Sequence, residues 1–139
     1  MKKISLFILF FTLTASLIAQ SPVQTPTTPT ANISFDKTSH DFGKIKEQDG
    51  IASVTFTLKN TGNAPLVINR VQASCGCTTP TWTKEPILPG KTGSITAAYN
   101  PAGRPGSFIK SISVFSNAGQ DAKTLTIKGE VIPKPAVSQ

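Results

Sequence analysis

The chain has 139 residues, with 14 basic side chains against 7 acidic ones and a formal net charge of +7. That length suits one domain. The positive charge is scattered from Lys37 to Lys134 without a block of like charges, which argues against a nucleic-acid surface and for a solvated one. Threonine, serine, glycine and proline are abundant and β-branched residues fill the patterned runs, so the composition is that of an all-β protein.

Residues 1–19 read as an export signal. Lys2 and Lys3 supply the positive end, Ile4 to Leu13 the apolar stretch, and Ala15, Ser16 and Ala19 the small residues expected before a cut ahead of Gln20. The apolar stretch is short for a membrane span, which needs about 20 residues. The expected product therefore has no stable span, and an uncleaved N-terminal anchor is the second reading. Export leads to the periplasm, the cell surface or the medium, and it exposes cysteines to an oxidising compartment. Residues 20–31, QSPVQTPTTPTA, hold three prolines and four threonines and read as an extended linker.

From Asn32 the chain breaks into short alternating runs. Ile33 and Phe35 begin the pattern. Ser39-His40-Asp41-Phe42-Gly43 reads as a turn-like break before Ile45, and Asp49-Gly50 as a turn. Val54, Phe56 and Leu58 alternate with Ser53, Thr55, Thr57 and Lys59, a strand with one wet face. Asn60-Thr61-Gly62-Asn63 turns the chain into a strand from Leu66 to Val71. Pro80, Pro86 and Pro89-Gly90 mark a loop or an edge strand. Ile95, Ala97 and Tyr99 alternate, Phe108 to Phe115 is a long strand, and Leu125, Ile127, Gly129 and Val131 form the last one. Pro133 and Pro135 end the domain and residues 134–139 are a loose tail.

About seven strands at such spacing predict a two-sheet antiparallel sandwich of the immunoglobulin-like kind over residues 32–133. The expected core is Phe35, Phe42, Val54, Phe56, Leu58, Leu66, Ile68, Tyr99, Ile112, Val114, Leu125 and Ile127, with Trp82 capping one end.

The chemical oddity is Ser74-Cys75-Gly76-Cys77-Thr78, which holds both cysteines. Two residues apart on an extended chain, their side chains share a face. Three readings are open. The pair forms a tight local disulfide, with Gly76 permitting an unusual backbone and Ser74 and Thr78 supporting the turn. It is a thiol pair with redox activity or affinity for a soft metal such as Cu(I). Or it is a reduced, buried structural pair. A three-ligand metal site would need His40, the one histidine, together with Cys75 and Cys77. No assembled nucleophile, base and acid set is legible, nor a phosphate or calcium loop, so neither a catalytic residue nor a cofactor is assigned. The expected role is a non-catalytic module binding an envelope protein or a copy of itself through sheet edges, with a thiol or copper site as the alternative.

The order Phe42-Gly43, Val54-x-Phe56-x-Leu58-x-Asn60-x-Gly62-x-x-Pro65-Leu66-x-Ile68, Ser74-Cys75-Gly76-Cys77-Thr78, Pro89-Gly90, Gly93, Gly106-x-Phe108 and Ser116-Asn117 resembles the bacterial domain of unknown function 1573. The resemblance spans roughly residues 33–133. It implies a non-catalytic β-sandwich in exported proteins, related to immunoglobulin-like modules of ciliary, centrosomal and major-sperm-protein type.

Overall fold

The computed structural model describes residues 28–135. The leader, most of the linker and the end of the tail lie outside the described residues.

Eight strands follow in order: β1 (Ile33–Phe35), β2 (Ser39–Lys46), β3 (Ala52–Asn60), β4 (Ile68–Ala73), β5 (Thr78–Trp82), β6 (Thr92–Tyr99), β7 (Gly106–Ser116) and β8 (Lys123–Ile132). A single 3₁₀ turn, Glu47–Asp49, is the one helical element among the described residues. The strands form two four-stranded sheets, β1-β3-β6-β5 and β2-β8-β7-β4, so the all-β two-sheet sandwich is as the pattern predicts.

The alternation explains the packing. In β3, Val54, Phe56 and Leu58 are buried while Ser53, Thr55 and Lys59 are exposed, because successive side chains of a strand leave on opposite faces. Ile95, Ala97 and Tyr99 of β6, Ile112 and Val114 of β7, and Leu125, Ile127 and Val131 of β8 meet them between the sheets. Tyr99 stacks on Phe108 with ring centroids 4.0 Å apart, and burial pushes its phenol pKa up. Ten of the twelve expected core residues are buried; Phe35 and Phe42 are only half-buried and pack on the core's rim, as does Trp82.

Three details differ from the sequence reading. Ser39 to Gly43 is no turn: it lies in β2, which pairs in parallel with β8, so the second sheet is mixed rather than antiparallel. A bulge between Asp41 and Lys44, with Gly43 at φ 64°, gave the stretch its turn-like look. The strand expected from Leu66 begins at Ile68, and Leu66 instead bridges to Ile87. Finally, Thr30 and Ala31 at the end of the linker stretch are bound to the domain: Ala31 is buried, and Thr30 and Asn63 exchange hydrogen bonds.

Candidate functional site

β4 and β5 are edge strands of different sheets on the same side of the sandwich. The cysteine turn is the link between them. Ser74 fixes its start: its N–H donates to the Ser111 carbonyl at 2.9 Å, and its Oγ accepts the Ser111 N–H at 3.1 Å. That extends the β4–β7 ladder one residue beyond Ala73↔Ile112. The chain then crosses to the first sheet, where Thr78 opens β5 opposite Tyr99. The Thr78 N–H donates to the Cys75 carbonyl at 3.3 Å, and the Asn100 N–H donates to the Cys77 carbonyl at 2.9 Å. Both ends of the turn are therefore tied to β-structure.

Within the turn the Cα atoms of Cys75 and Cys77 are 5.2 Å apart and the sulfurs face each other in contact. The separation lies inside the range of about 4.4–6.8 Å that a disulfide accepts. Cys77 is buried and Cys75 half-exposed. The Cys77 N–H donates to Cys75 Sγ at 3.3 Å. The buried Thr78 hydroxyl lies 3.8 Å from Cys75 Sγ and 3.9 Å from Cys77 Sγ. Ser74 is thus bonded to β7 and Thr78 lies against both sulfurs. Gly76 needs no special backbone there. It is exposed, its φ is not positive, and no atom beyond its neighbours Cys75 and Cys77 lies within 4 Å of where a Cβ would stand.

His40 does not join them. It sits in β2, with β8 and β7 between its strand and β4, and packs edge-on to Phe42 at 4.6 Å. Among the described residues no three of His, Cys, Asp and Glu gather into a metal site. Two of the surface carboxylates act as structural pins. Asp41 accepts the Gly43 N–H at 2.8 Å and pairs with Lys128 at 3.4 Å, and the Gly43 bond foremost holds its pKa below the usual range. Glu47 accepts the N–H groups of Gly103 at 2.6 Å and Lys134 at 3.2 Å, which lower its pKa likewise.

A second cluster escaped the sequence reading. Asn60 is fully buried on the inward face of β3. Its amide nitrogen donates to the carbonyls of Ala64 and Ile87, both at 2.8 Å, and its Oδ1 accepts the Gly62 N–H at 2.9 Å and the Asn32 N–H at 3.4 Å. One side chain ties four segments at one end of the sandwich. Gly62 is required there, since a Cβ would stand 2.6 Å from the Asn32 nitrogen and 2.8 Å from the Ala31 carbonyl carbon. The available signal was positional: Val54, Phe56, Leu58 and Asn60 are every second residue of one face, and a polar residue ending an inward series needs internal partners.

The edges complete the geometry. β1 has three residues, and β5 carries Pro80, which lacks an N–H. β2 has eight residues and is hydrogen-bonded to β8 alone. Beside its bulge lies a shallow groove lined by Asp41, Lys44, Phe108, Ile109 and Lys128, with Ile109 73% exposed.

A protein-family model described as "Protein of unknown function (DUF1573)" matches residues 33–131. No curated protein matches the chain. Among solved structures, a protein of unknown function from Porphyromonas gingivalis W83 is similar at 22% identity and a TM-score of 0.65, over 80% of this chain and 51% of that one. The VesB protease of Vibrio cholerae is similar at 17% identity and a TM-score of 0.56, over 72% and 31%. A family 123 glycoside hydrolase of Clostridium perfringens is similar at 12% identity and a TM-score of 0.58, over 76% and 27%. At such identities the likeness is one of fold. The chain spans about half the length of the first of these and less of the others.

Proposed function

The chain belongs to the DUF1573 family, and from that premise we propose that it is an exported, non-catalytic β-sandwich module. It binds an envelope protein, or a second copy of itself, by adding a strand to an open sheet edge. The observation that carries this reading is β2: eight residues long, at the rim of its sheet, with one side unpaired. An edge strand offers a row of backbone donors and acceptors that another chain can extend. Exposed Ile109 and the groove beside the bulge lie on the sheet face, across β8 from that row. Lys44 and Lys46 on the strand discourage indiscriminate pairing, a common device at natural sheet edges.

The leader sends the domain out of the cytoplasm, and Cys75 and Cys77 then close into a disulfide. Their 5.2 Å separation and the contact of their sulfurs support that state. The cross-link fixes the passage from one sheet to the other.

The test is site-specific photo-crosslinking in envelope extract, backed by gel filtration of the purified chain. A photoreactive residue at Ser39, on the β2 edge, is expected to capture a protein. The same residue at Thr55, on the outer face of β3, is expected to capture little. A strict monomer that captures nothing from either position overturns the reading.

A further inference from the structure

We propose that Cys75 and Cys77 form a thiol–disulfide exchange centre, with Cys75 as the sulfur that meets a partner's thiol and Cys77 as the resolving sulfur. The proposal rests on the disulfide read above, and three features of the turn carry it.

The first is access. Cys75 is half-buried, Gly76 beside it is exposed, and Cys77 is buried. Of the two residues Cys75 is the more exposed, so an incoming thiolate meets its sulfur first. The second is the set of donors. The Cys77 N–H points at Cys75 Sγ from 3.3 Å, and the Thr78 hydroxyl lies 3.8 Å from the same sulfur. Hydrogen bonds to a charged form favour it, and the thiolate is the reacting species of a cysteine. The third is position. The turn joins two edge strands on one side of the sandwich, so the sulfurs lie on a rim that a second protein can approach.

The exchange balances with a protein dithiol as co-reactant. One thiolate of the dithiol attacks Cys75 Sγ, and a mixed disulfide forms between them. The Cys75–Cys77 bond breaks, and Cys77 Sγ leaves with the bonding pair and takes up a proton from water. The partner's second thiolate then attacks its own sulfur in the mixed disulfide. Cys75 leaves as a thiolate held by the Cys77 N–H and the Thr78 hydroxyl. The partner is oxidised by two electrons to a disulfide, and the Cys75–Cys77 pair is reduced to two thiols. The reverse sequence reduces a partner disulfide, with Cys75 as the attacking group.

The test uses the full chain in buffers of reduced and oxidised glutathione, with acid quenching, thiol alkylation and intact-mass measurement. The wild type is expected to pass between disulfide and dithiol as the buffer is varied. Cys77→Ser is expected to trap glutathione at Cys75, and Cys75→Ser to react at Cys77 at least about tenfold more slowly, since exposure and the backbone donor both favour Cys75. Thr78→Val is expected to move the pH midpoint of the Cys75 reaction upward, with Thr78→Ser restoring it, a change that a merely structural threonine does not produce. Equal rates in the two cysteine variants, or an unmoved pH profile in Thr78→Val, overturn the proposal. Two free thiols in the untreated protein would overturn the disulfide itself. A disulfide that is present but inert to glutathione removes the exchange role and leaves the disulfide standing.

Discussion

Replacing Asn60 is the sharpest test of how the sandwich holds its end together. Asn60→Ala removes two donated hydrogen bonds of 2.8 Å, to Ala64 and Ile87, and one accepted bond of 2.9 Å from Gly62, all from a side chain with no exposure. At about 1 kcal/mol net for each, the loss is roughly 3 kcal/mol. The carbonyls and amide left behind are desolvated, which adds to the loss unless water enters the vacated space. A domain of this size has about 5–15 kcal/mol in all, so the variant should fold but melt about 12–24 °C lower. Asn60→Asp separates hydrogen bonding from shape. It keeps the volume and the acceptor but turns a negative oxygen toward two carbonyls. Its carboxyl is therefore held neutral more readily in the folded state than in the unfolded chain. The folded pKa is raised, so the variant is at its best in acid and loses stability as pH rises through that value. Urea titrations at matched slope, run at neutral and acid pH, provide the measurement. If both variants lie within about 0.5 kcal/mol of wild type, as ordinary surface changes do, the four-segment tie at Asn60 is refuted.

Other outcomes follow from single contacts. Gly62→Ala drives a Cβ into the backbone of Ala31 and Asn32 and should cost about 2–3 kcal/mol, whereas Gly119→Ala, with open space and no positive φ, should stay within about 0.5 kcal/mol in the same urea melts. The lowered pKa of Glu47 comes first from the Gly103 N–H and then from Lys134. Its stabilising contribution is present at neutral pH and vanishes as pH falls through the lowered value. The gap in melting temperature between wild type and Glu47→Gln should close on that acid limb. Replacing both Cys75 and Cys77 by alanine opens a three-residue ring, for which the chain-entropy relation gives about 1.5 kcal/mol. A loss above about 3 kcal/mol in denaturant melts would mean the pair is more than a local clasp.

The parts of the fold that could be read from the chain are those whose signal is local. Val54, Phe56 and Leu58 announce β3, and Leu125 and Ile127 announce β8, because period two is a property of the strand itself. β2 was not legible as a strand. Its partner β8 lies some eighty residues away, their pairing is parallel, and the bulge at Asp41–Lys44 breaks the alternation where a reader would look for it. Ile87 is buried between Pro86 and exposed Leu88, and only its long-range bridge to Leu66 explains that. The cysteine turn was legible as a pair of sulfurs on one face, but not the unequal exposure of the two sulfurs or the donors on Cys75. The burial of Cys77 and Thr78 comes with the crossing into β5, where Thr78 pairs with Tyr99 of β6, a tertiary fact. Gly76 shows the converse: a glycine in a tight turn invites a backbone explanation, and the geometry gives it none.

Partner binding in the envelope and sulfur chemistry at the turn both require the chain to leave the cytoplasm and to carry Cys75 and Cys77 joined. The intact mass of the protein purified from its native envelope, before and after reduction and alkylation, tests both at once. The predicted species begins near Gln20, lacks the leader, and accepts alkylating groups at Cys75 and Cys77 only after reduction. A full-length chain whose two cysteines alkylate without reductant would contradict the account.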